Sequence, residues 1–271
     1  MTNLTQRLLV GIVAIPLALG AAWVGGWVWA GVVAALAVAA QAELYNLASR
    51  VGASPIRGIG LALGALAAVR ALVPWAAPAL AAGVVIVVVA PLFRRSPTPL
   101  LDAATTLFGV AYPAFLLGYA VLLREALPGG AGAPAGFLML AAVLMCIWCA
   151  DSAAYFVGRA VGRRPLMPRV SPKKTVEGSV GGLAGALLIA AACKLTFLPA
   201  WSWLDVAAIG AICGGASQLG DLAESYFKRA ADVKDSGTWI PGHGGALDRL
   251  DAAAVAVPLS VLHLDHVARL F

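Results

Sequence analysis

Residues 75–93 read WAAPALAAGVVIVVVAPLF, a run without a single charged side chain. As a helix it rises about 28 Å, close to the hydrocarbon thickness of a bilayer. The basic pair Arg94-Arg95 follows at once, where a membrane helix would meet water. The same texture recurs along the chain. Continuous runs rich in Ala, Leu, Val and Gly are interrupted by short polar stretches, whereas a transmembrane barrel would show short alternating segments.

The composition agrees. Of 271 residues, 61% are hydrophobic and 12% charged, and the mean hydropathy is +0.89. Soluble domains carry about 25% charged residues, so a single water-facing globule is excluded. The spacing predicts an all-α, polytopic transmembrane helical bundle of about nine spans, at roughly 8–24, 27–48, 57–73, 75–93, 104–123, 136–158, 178–197, 203–227 and 248–270. The third and fourth are separated by little more than Val73-Pro74-Trp75. The first has a slight basic region and no small-residue cleavage site before Trp23, so it reads as an uncleaved helix. No fixed-period repeat occurs. Residues 1–135 read as N-terminal scaffold helices facing lipid and available for dimer contacts, and residues 136–271 as the catalytic helices with their loops.

The basic residues orient this layout. With the N-terminus cytoplasmic, one side collects Arg7, Arg50, Arg57, Arg94, Arg95, Arg159, Arg163, Arg164, Arg169, Lys173, Lys174, Lys228, Arg229, Lys234 and Arg249. The other keeps only Arg70, Arg124, Lys194 and Arg269. That bias is the positive-inside pattern, and it accounts for the net charge of +6 without nucleic acid. Cys146 and Cys149 form a C-x-x-C inside an apolar run. With no second half for a zinc site, they read as two small apolar residues one turn apart.

Acids are sparse in the first half (Glu43, Asp102 and Glu125, all near span ends) and concentrated in three places in the second, all at one membrane face. Late in the sixth span, Asp151 and Tyr155 share a helix face, with Ser152 beside them. The loop beyond holds Arg159, Arg163, Arg164 and Arg169, then SPKKT at 171–175. Its Ser171, Lys173, Lys174 and Thr175 precede a Gly-rich helix start, an arrangement suited to anions. A solvated positive-inside loop explains the arginines equally well. In the eighth span Gly214, Ser217 or Gln218, Asp221, Glu224 or Ser225, and Lys228 line one face. A carboxylate in such a helix must face protein, water or ligand, and pairing with an arginine is the structural alternative. The third place runs from Lys234 through His243, Gly244 and Gly245 to Asp248, Arg249 and Asp251. Helix capping alone would favour Asp248 and Asp251, but it does not explain acids from two helices beside a glycine loop and a basic loop. Hard oxygen ligands with neighbouring cations suit Mg²⁺–nucleotide chemistry. His243 is read as a donor to phosphate or as part of the turn.

The run Ser225-x-x-Lys228-Arg229-x4-Lys234-Asp235-x-Gly237-x-x-Ile240-Pro241-x-His243-Gly244-Gly245-x-x-Asp248-Arg249-x-Asp251 resembles the signature of the phosphatidate cytidylyltransferases, or CDP-diacylglycerol synthases. Asp151-Ser152-x-Ala154-Tyr155, Ser171-Pro172-x-Lys174-Thr175-x-Glu177-Gly178 and Gly220-Asp221-Leu222-x-Glu224-Ser225 are similar to the family too. The resemblance covers about residues 145–255 in motif. Two positions depart from the family's habit: Lys173 stands where a small residue is common, and Glu177 where Gln also occurs. The resemblance implies transfer of a cytidylyl group from CTP to phosphatidate with release of pyrophosphate, for phospholipid biosynthesis. It implies dependence on Mg²⁺, with a monovalent cation such as K⁺ beside it, a fold often assembled as a homodimer, and a cavity open to lipid and cytoplasm. By the same resemblance Asp221 and Asp248 are metal ligands with Asp251 and Glu224 close by. Lys174, Lys228, Arg229 and Arg249 meet phosphates, Asp151, Ser152 and Tyr155 line the pocket, and Ser171, Lys173, Thr175, Lys234, His243, Gly244 and Gly245 are further substrate contacts. The expected location is a bacterial inner (cytoplasmic) membrane with the site facing the cytoplasm.

Two rivals remain at this stage. A CTP-dependent lipid kinase would share basic loops but not the full run from Lys234 to Asp251. An ion-coupled transporter would place its acids nearer the midplane and often show inverted repeats.

Overall fold

Apolar runs in a bilayer must satisfy their own backbone, so they close as helices. A computed structural model describes residues 3–125, 132–237 and 244–266. The helices are α1 (Asn3–Val24), α2 (Gly26–Arg50), α3 (Arg57–Ala68), α4 (Ala76–Val89), α5 (Pro99–Gly109), α6 (Tyr119–Glu125), α7 (Gly132–Val161), α8 (Val176–Thr196), α9 (Trp203–Ala211), α10 (Ser217–Ala230) and α11 (Leu247–His266). One antiparallel hairpin, β1 (Pro165–Met167) and β2 (Ser171–Thr175), interrupts them.

Among the described residues, six helical stretches are long and apolar enough to cross a membrane: Gly26–Arg50, Ala76–Phe93, Pro99–Glu125, Ala135–Val161, Val176–Thr196 and Trp203–Ala230. They correspond to the second, fourth, fifth, sixth, seventh and eighth expected spans. The third is shorter than expected, since α3 has 12 residues before the 3₁₀ turn Arg70–Leu72 and rises only about 18 Å. The last helix has 20 residues, but its first turns carry Asp248, Arg249 and Asp251. Two of the six stretches contain a π segment, Val110–Phe115 and Ile212–Ala216. The first holds Pro113, which has no N–H to donate, and local widening of the helix accommodates it.

The chain forms two compact units. The first comprises the described parts of Met1–Val121 and Phe227–Leu250, the second those of Leu122–Tyr226 and Asp251–Phe271. The first is knit by polar side chains inside apolar packing. Tyr45 of α2, fully buried, donates to the Thr106 carbonyl at 2.8 Å and accepts from Gln41 Nε2 at 2.7 Å. Gln41 Nε2 also donates to the Gly60 carbonyl at 2.8 Å. Such close approach needs small residues, as at membrane helix interfaces generally. A Cβ on Gly64 would lie 1.8 Å from Gln41 Oε1. Gly64→Ala is therefore expected to cost about 1–3 kcal/mol by overpacking, read as a lower unfolding midpoint in detergent. No change would mean that Gln41 simply swings aside.

In the second unit, α8 lays its glycines against α7. A Cβ on Gly181 would meet Val157 at 2.6 Å, one on Gly182 the Ala150 carbonyl at 2.9 Å, and one on Gly185 Ala153 at 2.8 Å. The hairpin joins these two helices and is fastened at both ends. Thr175 caps α8 by accepting from Gly178 N–H at 3.1 Å. Glu177 reaches back to accept from Arg163 and Arg164 N–H at 3.0 and 3.2 Å. The four cysteines are free thiols, with Cys146, Cys193 and Cys213 buried.

Candidate active site

The candidate residues form two groups, one in each unit. In the second unit a cavity of about 490 Å³ opens between α7, the hairpin, α8 and α10. Its wall brings together Asp151, Tyr155, Arg159, Lys173, Lys174, Thr175 and Asp221, with Ser179 and Gln218. Helical spacing puts Asp151 and Tyr155 on the cavity side of α7, and Arg159, one turn on, donates to the Tyr155 hydroxyl at 3.1 Å. The hairpin supplies the lysines. Lys174 Nζ is paired with Asp221 Oδ2, both side chains about one-third exposed at 29% and 35%. Ser225, one turn beyond Asp221, donates to its Oδ1 at 3.4 Å. Gln218 donates to the Ser179 carbonyl at 3.1 Å and accepts from the Ser179 hydroxyl at 2.5 Å, tying α10 to α8. The cavity thus offers cations and a carboxylate side by side, with water access. Glu224, on the same helix, is fully buried. Ser152 and Ser171 are not on this wall; Ser171 opens β2 opposite Met167.

In the first unit the end of α10 and the start of α11 build the second group. Asp248 Oδ1 accepts from Lys228 Nζ at 2.5 Å, and both side chains are largely buried at 6% and 11% exposure. Its Oδ2 accepts from Gly245 N–H at 2.8 Å and Ser236 N–H at 3.0 Å. Asp248 thus fastens the loop that precedes α11, and holds a lysine as well. Gly244 has φ +80°, a left-handed conformation in which a Cβ would lie 2.7 Å from Asp248 Oδ2, so glycine is required there. Arg229 and Arg249 are exposed, with Arg229 donating to the Val233 carbonyl at 3.1 Å. Lys234 lines a separate open cavity of about 710 Å³ with Arg50, Arg57 and Asn46. Asp251, in the second unit, is buried and accepts from Ala252 N–H at 2.7 Å. His243 lies outside the described residues.

One participant escaped the sequence reading. Glu43 of α2 is buried and accepts from Ser236 Oγ at 2.8 Å, Ala246 N–H at 3.0 Å and Leu247 N–H at 2.9 Å. The signal available was an acid within an apolar span.

The donor set bears on a metal. Among the described residues, no three acidic, histidine or cysteine side chains gather around one point. Mg²⁺ does not need such a cage, because it keeps several waters and binds through one or two carboxylates plus substrate phosphates. Asp221 in the second unit and Asp248 in the first are each a hard-oxygen carboxylate partnered by a lysine, the ligand type that such an ion takes.

Comparison with known proteins adds a scale to these motifs. The sequence profile of the cytidylyltransferase family matches residues 5–267. A phosphatidate cytidylyltransferase of Synechocystis sp. is 33% identical over 284 residues, covering 94% of this chain and 94% of that protein. One from Bacillus subtilis is 46% identical over 112 residues, 41% of this chain and 42% of that protein. One from Brucella suis is 41% identical over 161 residues, 57% of each.

Proposed function

The chain belongs to the cytidylyltransferase family, and on that premise we propose that it transfers the cytidylyl group of CTP to phosphatidate, forming CDP-diacylglycerol and pyrophosphate. The end-to-end similarity to a phosphatidate cytidylyltransferase carries this reading. The two lysine–carboxylate pairs support it chemically, because they supply cations for phosphates and hard oxygens for a metal.

In the reaction a phosphate oxygen of phosphatidate attacks the α-phosphorus of CTP. A new P–O bond forms there, the α–β P–O bond breaks, and its electron pair leaves on pyrophosphate. The attacking phosphate monoester is already anionic near neutral pH, so the protein needs no strong base. Its work is positioning and charge neutralisation. Lys174, Lys228 and Arg249 are assigned to the charge of the phosphates. Asp151, Ser152 and Tyr155 are assigned to the substrate pocket with Ser171, Lys173 and Thr175, and Arg229, Lys234, His243, Gly244 and Gly245 to further contacts. By the family resemblance Asp221 and Asp248 are assigned to Mg²⁺, with Glu224 and Asp251 on the same two helices and a monovalent cation such as K⁺ as companion. Held by these residues, Mg²⁺ would supply charge neutralisation for the CTP phosphates.

The charge asymmetry of the loops supports a nine-span chain with a cytoplasmic N-terminus and the site at the cytoplasmic face of a bacterial inner membrane. A homodimer is proposed on the family resemblance alone.

The test uses purified protein in detergent with phosphatidate, Mg²⁺ and CTP labelled at either the α or the γ phosphate. Label should enter lipid only from the α position, and only with phosphatidate and without EDTA. Label from the γ position would make the protein a CTP-dependent lipid kinase. No transfer of either label from folded protein would favour transport.

A further inference from the structure

Glu43 sits about 200 residues from the Asp248 loop in sequence, yet three of that loop's donors converge on it. Its Oε2 accepts from the Ser236 hydroxyl at 2.8 Å and Leu247 N–H at 2.9 Å, and its Oε1 accepts from Ala246 N–H at 3.0 Å. Ala246 and Leu247 enter α11, where the first N–H groups have no partner within the helix. A carboxylate is favoured at that end, but a local cap would suffice for stability alone. What distinguishes Glu43 is what its partners do next. Ser236 gives its hydroxyl to Glu43 and its N–H to Asp248. Leu247 directly precedes Asp248, whose other oxygen holds Lys228 at 2.5 Å.

The surrounding glycines are shaped by the same carboxylate. A Cβ on Gly237 would lie 2.3 Å from Glu43 Oε1, and one on Gly245 would lie 2.2 Å from Oε2 and 2.2 Å from Ser236 Oγ. The glycines on both sides of residues 238–243 thus leave room for Glu43.

We propose that Glu43 is the positioning residue for the Asp248–Lys228 pair, holding the 236–237 and 245–247 backbone so that Asp248 presents its carboxylate in one orientation. The proposal rests on the reading of Asp248 as part of the transfer site. A displaced catalytic group costs about 100-fold in rate, whereas substrate contacts elsewhere are untouched.

The experiment compares Glu43→Gln with Asp102→Asn in the full chain in detergent. Asp102 is a buried carboxylate of the same unit, 2% exposed, and accepts from Ser54 N–H and Ser96 Oγ. For each variant, kcat, KM for phosphatidate, the unfolding midpoint and amide hydrogen exchange are measured. Glu43→Gln should lower kcat by about 100-fold with KM for phosphatidate within about twofold. Exchange should quicken at 236–237 and 245–248. Asp102→Asn should lose comparable thermal stability but keep its kcat. Equal losses of kcat in the two variants would reduce Glu43 to a structural role, and a normal kcat in Glu43→Gln would overturn the proposal. The two readings fail separately. A wild-type protein that transfers no cytidylyl group sinks the assigned reaction, while unchanged exchange at 236–237 and 245–248 in Glu43→Gln sinks the positioning role.

Discussion

Asp248→Asn is expected to lower turnover by about 10²–10³-fold, while the protein still inserts, extracts and elutes as a folded species. Asn has the shape of Asp, and its oxygen can still accept from Gly245 and Ser236 N–H. What it cannot do is face Lys228 with a negative charge. That pair is largely buried, and removing one member of a buried pair costs about 3–5 kcal/mol. Lost turnover could therefore be blamed on lost stability. Adding Lys228→Met separates the two, since replacing both members of a buried pair is often close to neutral. The double variant should recover most of the unfolding free energy and remain inactive. If Asp248→Asn turns over at near-normal rates, the carboxylate has no part in the reaction. If the double variant regains activity, the single variant failed only for want of stability.

Much of this was legible in the sequence, for reasons that differ by element. The six long stretches could be read because an apolar run of bilayer length has few alternatives to a membrane helix. The run 57–73 reads as longer than the helix it forms. Gly58, Gly60 and Gly64 are as apolar as their neighbours, but two of them serve close contacts with Gln41 and Tyr45, and α3 ends at Ala68. The β1–β2 hairpin could not be read. Its strands have three and five residues, too short for alternation to show, and their lysines read as a loop. Helical spacing placed Asp151 and Tyr155 on one face, and the structure lines one cavity with both and with Asp221 of another helix. Ser152 is next to Asp151 in sequence but off that wall, as a 100° step around a helix demands. Glu43 was visible as an acid in an apolar span, but its partners lie nearly 200 residues away. No local pattern marks that pairing, and it comes from the half of the chain that read as scaffold.

The second large effect is expected at Asp221, with the opposite signature in stability. Asp221→Asn should lower turnover by about 10²–10³-fold, as should Lys174→Ala, but neither should shift unfolding by more than about 1 kcal/mol. The reason is exposure. Lys174 and Asp221 are about one-third open to water, and ion pairs in that setting contribute about 0–1 kcal/mol. A pair worth so little to the fold is readily opened by a ligand. On the proposed reading, an incoming phosphate would draw Lys174 off Asp221 and free its carboxylate. The Lys228–Asp248 pair is largely buried, while this one is partly open to water. Measuring CTP affinity and unfolding on the same samples decides the matter. Lys174→Ala should weaken CTP binding, and high salt should weaken it further in the wild type. Unchanged CTP affinity and turnover in Lys174→Ala would leave the pair as a surface contact and move the phosphate site elsewhere on the cavity wall.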